Sequence, residues 1–225
     1  NSGFSRNLTA SEMLAQIQTA QIDNHIKISN VVLMGMGEPL DNYDNVIQFL
    51  KLVSSEDNLN IGMRHISLST CGIINKIYDL ANENLQLTLS VSLHAPNDSI
   101  RNTLMPINKN FNVDELLKAC KFYIIKTKRR ISFEYAMISD INDSDDCAIE
   151  LARKLSGMLC HVNLIPVNNI GVEKIFYEKS NQKRLEKFMN ILSKYGINAT
   201  VRRTLGADIN ASCGQLRRKA TDLEV

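Results

Sequence analysis

Ile26-Lys27-Ile28-Ser29-Asn30-Val31-Val32-Leu33-Met34-Gly35-Met36-Gly37-Glu38-Pro39-Leu40 runs from an apolar, β-branched segment into a glycine turn, and a helical pattern from Tyr43 to Val53 follows at once. Ile and Val in that density predict a strand over Ile26 to Met34. Gly35, Gly37 and Pro39 punctuate it. Strand, turn and helix make one βα unit, the building block of a parallel sheet.

Working outward, the unit recurs. Strands are expected at His65 to Ser69, Leu85 to Leu93, Ile131 to Ile138 and His161 to Val167. Helices are expected at Ile73 to Ala81, Val113 to Ile125, Cys147 to Leu155 and Gln182 to Tyr195, the last stopped by Gly196. A helix precedes the first unit: Thr9 can cap it, Glu12 completes a capping box, and Met13, Ile17 and Ile22 mark its apolar stripe. A last strand is expected at Asn198 to Arg203. Five consecutive βα units argue for an α/β fold of the β/α-barrel kind.

Polar residues and glycine cluster after the strands: Gly37, Glu38, Ser69, Thr70, His94, Ser139, Asp140, Asn168 and Asn169. That is the edge of a β/α barrel where ligands bind. Taken singly, each is also ordinary turn chemistry.

Bulk composition bounds the rest. The chain has 225 residues, 44% hydrophobic and 22% charged, enough for one sizeable core. No linker, repeat or low-complexity tract divides it. The net charge of +2 is too mild to argue for nucleic acid by itself. Cys71, Cys120, Cys147, Cys160 and Cys213 form no C-x-x-C pair, so neither a disulfide framework nor a zinc site is suggested. Reduced thiols fit the cytoplasm, and no apolar run is long enough to span a membrane.

Two motifs carry chemistry. Gly35-x-Gly37-Glu38-Pro39 lacks the third glycine of a dinucleotide fingerprint and is no P-loop. Its carbonyls and the Glu38 carboxylate suit an amine rather than a phosphate. Cys213 lies in Gly206-Ala207-Asp208-Ile209-Asn210-Ala211-Ser212-Cys213-Gly214-Gln215-Leu216, directly before Arg217, Arg218 and Lys219. Small neighbours allow close approach, and nearby positive charge favours a thiolate. A small buried residue closing a turn is the plainer reading of the same cysteine. A second basic run, Lys126, Lys128, Arg129 and Arg130, sits between a helix and a strand, where such runs are commonly solvated.

Taken together, Gly37-Glu38-Pro39, Ser69-Thr70-Cys71-Gly72, Ser92-Leu93-His94, Leu164-Ile165-Pro166-Val167-Asn168 and the Arg202-Arg203 to Leu216 tail resemble the radical S-adenosylmethionine enzymes, and within them the RlmN family. Gly3-Phe4-x-Arg6-Asn7-Leu8-Thr9 matches too, so the resemblance covers essentially the whole chain. It implies methylation of carbon 2 of an adenine in 23S rRNA and tRNA, with S-adenosylmethionine and a [4Fe–4S] cluster as cofactors. It further implies an electron donor such as flavodoxin or ferredoxin.

By the same resemblance, Cys213 is catalytic. One S-adenosylmethionine methylates its sulfur. A second is cleaved reductively to a 5′-deoxyadenosyl radical, which takes a hydrogen from the S-methyl group. The resulting radical adds to the adenine, and a second cysteine of the family resolves the adduct. Gly37 and Glu38 would meet the cofactor's amino group. Ser69, Ser92, Leu93, His94 and Asn168 would meet the rest.

The sequence departs from the family at one point: the C-x-x-x-C-x-x-C cluster motif does not occur in it. Three thiolates are needed to hold such a cluster. The expectation is therefore a single domain over residues 1–225, a partial, open barrel that lacks its first strand, the cluster loop and an accessory domain. Cys213 is expected on a flexible loop above the rim. The neighbouring Cfr-type enzymes, which methylate carbon 8, share the tail and the Gly-Glu-Pro turn; the Arg202-Arg203 pair leans toward carbon 2. An ordinary barrel lyase or isomerase would place lysine or paired carboxylates at the rim. A non-catalytic RNA-binding module would be more basic and richer in exposed aromatics.

Overall fold

The computed structural model of the chain describes residues 5–34, 37–167 and 177–202. Among them, six strands form one sheet: β1 (Val31–Leu33), β2 (Ile66–Thr70), β3 (Thr88–Ser92), β4 (Ile131–Met137), β5 (Cys160–Pro166) and β6 (Ala199–Val201). Their spatial order is their chain order, and every neighbouring pair is parallel. Each crossover thus adds its strand beside the last in the same direction, which keeps the helices on one side and curls the sheet into an open barrel. Among the described residues β1 bonds only β2, and β6 only β5.

The helices are α1 (Ala10–Asn24), α2 (Tyr43–Ser54), α3 (Ile74–Asn82), α4 (Asp98–Leu104), α5 (Val113–Thr127), α6 (Asp145–Leu155) and α7 (Gln182–Lys194). The expected capping box is present: Thr9 Oγ1 accepts from the Glu12 amide, and Glu12 accepts from the Thr9 amide. Asn97, Asn112, Ser144 and Asn181 cap α4, α5, α6 and α7, each side chain accepting from a backbone amide of the first turn. Two expectations are corrected. The first strand is three residues long rather than the full apolar run from Ile26, because β2 begins at Ile66, the partner of Val31, and offers no strand to the residues before it. Helix α4 and the 3₁₀ turn Pro106–Lys109 fill a stretch where no element was expected.

The strands alternate. Ile66, Leu68, Leu89, Val91, Ile131, Phe133, Tyr135, Val162 and Leu164 are fully buried in the one core, against the helices. Tyr135 stacks on Phe188 of α7 with ring centroids 5.3 Å apart. The residues between them look to the concave face, and there they are polar: Ser67, Ser69, Ser90, Ser92, Ser132, Glu134, His161, Asn163 and Thr200. The register sets them in rows, with Ser69 beside Ser90, Ser90 beside Ser132 and Ser132 beside His161. Parallel sheets covered on both faces read as continuous apolar runs. This one is apolar on one face and, apart from Val32, Ala136 and Ile165, polar on the other, so its hollow suits a polar occupant.

Candidate active-site rim

Gly37 follows β1 with φ +93°, a backbone conformation that disfavours any side chain, and a Cβ there would meet no atom within 4 Å. Its neighbour Glu38 reaches across to the next turn. Glu38 Oε1 accepts from the Leu40 amide at 3.0 Å, and Oε2 accepts from the Cys71 amide at 2.7 Å. The carboxylate therefore caps the 3₁₀ turn Pro39–Asn42 and locks the end of β1 to the end of β2. Burial, with Glu38 close by, pushes the Cys71 thiol up to about 12.

Ser69 and Ser92 stand half-buried on the concave face, on β2 and at the end of β3. Leu93 is fully buried; its amide donates to the Glu134 carbonyl and its carbonyl accepts from Arg101 Nε. It fixes the turn from below. His94 has φ +57°. Its Nδ1 accepts from the Ala136 amide at 3.0 Å, and its carbonyl accepts from Asn142 Nδ2 at 2.8 Å. Burial first, and Arg101 second, lower this imidazole to about 4. The ring is neutral at pH 7, with its proton on Nε2.

Sequence reading missed what holds these turns together. Arg101 of α4 is fully buried. It donates to the carbonyls of Cys71 (2.7 Å), Ser92 (3.0 Å) and Leu93 (3.0 Å), and to Asn108 Oδ1 (2.9 Å). One guanidinium thus joins the ends of β2 and β3. Asn142, also fully buried, does the same for the ends of β3 and β4: it donates to the His94 and Ala136 carbonyls and accepts from the Ile138 amide. The signal was an Arg or Asn in the helix or turn after each strand, which sequence alone does not separate from a solvated one.

Gly37, Glu38, Ser69, Ser92, Leu93 and His94 thus share the C-terminal rim of the sheet. Asn168 and Cys213 lie outside the described residues, as does the expected flexible loop. The basic run of Lys126, Lys128, Arg129 and Arg130 enters β4 and so lies at the opposite, N-terminal edge. At the far end of the rim a cavity of about 430 Å³ opens beside Pro166, Lys179, Asn181, Val201 and Arg202. The described cysteines do not converge. Cys120, Cys147 and Cys160 are buried, burial raises all three, and among the described residues no three His, Cys, Asp or Glu side chains gather to hold a metal. No described helix is long and apolar enough to cross a membrane.

Comparison with known proteins gives the same picture. The model of the radical SAM superfamily matches residues 1–152. A probable dual-specificity RNA methyltransferase RlmN of Clostridium tetani is 57% identical over 217 residues, which are 96% of this chain and 62% of that protein. Its counterpart in Clostridium botulinum (strain Eklund 17B) is 58% identical over 218 residues, with the same coverage. The chain therefore spans about 62% of the length of these curated relatives. A crystal structure of a radical SAM methyltransferase from Sphaerobacter thermophilus superposes with a TM-score of 0.88 at 44% identity, over 95% of this chain and 63% of that one. Streptococcus suis SuiB bound to S-adenosylmethionine shares the fold, with a TM-score of 0.63 at 15% identity, over 90% of this chain and 45% of that one.

Proposed function

From a chain that belongs to the radical SAM superfamily, and within it to the RlmN family, we propose an RNA methyltransferase that acts on carbon 2 of an adenine in 23S rRNA and tRNA. The observation that carries this reading is the gathering of Gly37, Glu38, Ser69, Ser92 and His94 on one rim above a polar hollow. Membership of the superfamily implies S-adenosylmethionine and an iron–sulfur cluster. The rim suits the first. The cluster, which supplies the electron for reductive cleavage, finds no ligand set in Cys71, Cys120, Cys147 and Cys160.

The chain's own residues have distinct tasks. Gly37 leaves backbone uncovered for the cofactor's amino group, and the pinned Glu38 carboxylate supplies the opposite charge. Ser69 and Ser92 offer hydroxyls, and the neutral His94 offers Nε2–H as a donor. Leu93 holds the turn between them. Asn168 takes a ribose hydroxyl or the cofactor carboxylate. Cys213 carries the methyl group on sulfur before it passes to the adenine, and Arg217, Arg218 and Lys219 contact phosphates beside the flipped base. A flavodoxin or ferredoxin supplies the electron, and the protein works in the cytoplasm with its RNA.

The test is nucleoside mass spectrometry after anaerobic incubation, with a reductant, S-adenosylmethionine and 23S rRNA or tRNA, of the protein joined to a cluster-binding segment with the C-x-x-x-C-x-x-C motif; residues 1–225 alone are expected to be inactive. The expected product is 2-methyladenosine. Cys213→Ala should abolish it while cleavage of S-adenosylmethionine continues. An 8-methyl product would move the assignment to the Cfr-type reaction, and methylation by the Cys213→Ala protein would remove the cysteine from the mechanism.

A further inference from the structure

Charge is spread unevenly along the chain. Between Glu115 and Glu134 there is no acidic residue, and six of the 26 Lys and Arg fall there: Lys118, Lys121, Lys126, Lys128, Arg129 and Arg130. The other 20 stand against 24 Asp and Glu, so this stretch is +6 and the rest of the chain −4. On α5, Lys118, Lys121, Phe122, Ile125 and Lys126 recur at i, i+3, i+4, i+7 and i+8, which sets them on one helix face. All five are exposed. Lys128 and Arg130, also exposed, continue the strip into the turn before β4. Arg129 is half-buried and donates to the Leu87 carbonyl at 3.4 Å. Among the described residues none of the six forms an ion pair.

Cations near a helix C-terminus complement its dipole, which accounts for Lys126 and Lys128. It does not account for Lys118 and Lys121, in the middle of α5, or for Arg130, beyond its end. A solvated face gains solubility from both signs interspersed, whereas this strip carries one. A protein partner fits it poorly, since the centre of a protein interface is depleted of Lys. A polyanion with regularly spaced charges fits it well. Lysines along about 15 Å of helix can meet successive phosphates of one strand. Phe122 adds a ring among them. It is 38% exposed and meets the Tyr78 ring at 64°, with centroids 5.1 Å apart, which leaves part of it open to an unpaired base.

We propose that the strip from Lys118 to Arg130 is a second RNA-contacting surface, which holds the sugar–phosphate backbone of the substrate away from the rim where its base reacts. The inference rests on the chain being an RNA methyltransferase. Fluorescence anisotropy of the cluster-bearing protein tests it, with an unmodified tRNA transcript and a 23S rRNA fragment as probes, between about 50 and 200 mM salt. The variant Lys118→Gln/Lys121→Gln/Lys126→Gln/Arg130→Gln removes four phosphate contacts. Its slope of log affinity against log salt should be shallower by about 3, and its affinity at least about tenfold lower. The control Lys27→Gln/Lys109→Gln/Lys183→Gln/Lys194→Gln removes the same charge from exposed positions elsewhere and should keep the wild-type slope. Gln matches Lys in helix propensity, so both variants keep the fold. Equal losses in the two variants, or none in either, would overturn the strip and leave the methyltransferase reading intact. So would a strip variant that keeps its RNA affinity but no longer binds flavodoxin, since the partner would then be an acidic protein. A wild-type protein that binds neither RNA would overturn the reading of the substrate, and this inference with it.

Discussion

Arg101 donates to four acceptors, and none is a carboxylate; the acidic Asp98 is linked to it through Asn108. The guanidinium is kept because it satisfies three carbonyls that the ends of β2 and β3 would otherwise bury unpaired. Arg101→Met should cost about 3 kcal/mol, which for a chain of this size lowers the melting temperature by roughly 6–12 °C. A thermal melt that matches wild type would mean that the carbonyls find other donors. His94 gives a pH dependence of definite sign. Its folded pKa, about 4, lies below the ordinary histidine value of 6.5. The unfolded chain therefore binds more protons between those values, so stability is complete above pH 6.5 and declines as the pH falls toward 4. Burial lowers His161 as well, and it adds to the same slope. Asn tolerates the positive φ of residue 94 and can accept from the Ala136 amide, so His94→Asn should flatten the urea midpoint between pH 7 and pH 5.

At the scale of elements, the turns after the strands are where backbone and packing meet. Gly72, after β2, has φ +105°, and a Cβ there would come 2.9 Å from Leu116 Cδ1 of α5. Gly72→Ala combines a disfavoured backbone with a collision and should destabilise by about 1–3 kcal/mol, read as a lowered urea midpoint. Gly37→Ala shares the backbone strain but meets no protein atom. Its excess effect should fall on affinity for S-adenosylhomocysteine, and an unchanged affinity would detach Gly37 from the cofactor site. Helix α1 is held by a reciprocal cap, and Thr9→Ala should cost it about 1 kcal/mol.

At the scale of the molecule, the two edges of the sheet differ in kind. The C-terminal rim carries Gly37, Glu38, Ser69, Ser92 and His94, while the opposite edge carries the Lys126 to Arg130 run. Hydrogen exchange with added S-adenosylhomocysteine should therefore slow at residues 69–72 and 92–94 and stay unchanged at 126–130. Protection confined to the basic edge would place the ligand elsewhere.

The sequence by itself determined the number and kind of repeating units, because alternation in Ile66–Thr70 or Cys160–Pro166 and the capping box at Thr9 are local signals. It also brought Glu38, Ser69, Ser92 and His94 to strand ends, where a parallel sheet collects them on one rim. Only the tertiary structure decided what those residues do there. The bonds from Glu38 to Cys71, Arg101 to Cys71, Asn142 to His94 and Thr200 to Asn163 cross 30 to 48 positions of chain. No periodicity records such distances. They follow from the register between strands, which places Glu134 beside Ser92 and Asn163, and from α4, which folds back to put Arg101 beneath the rim.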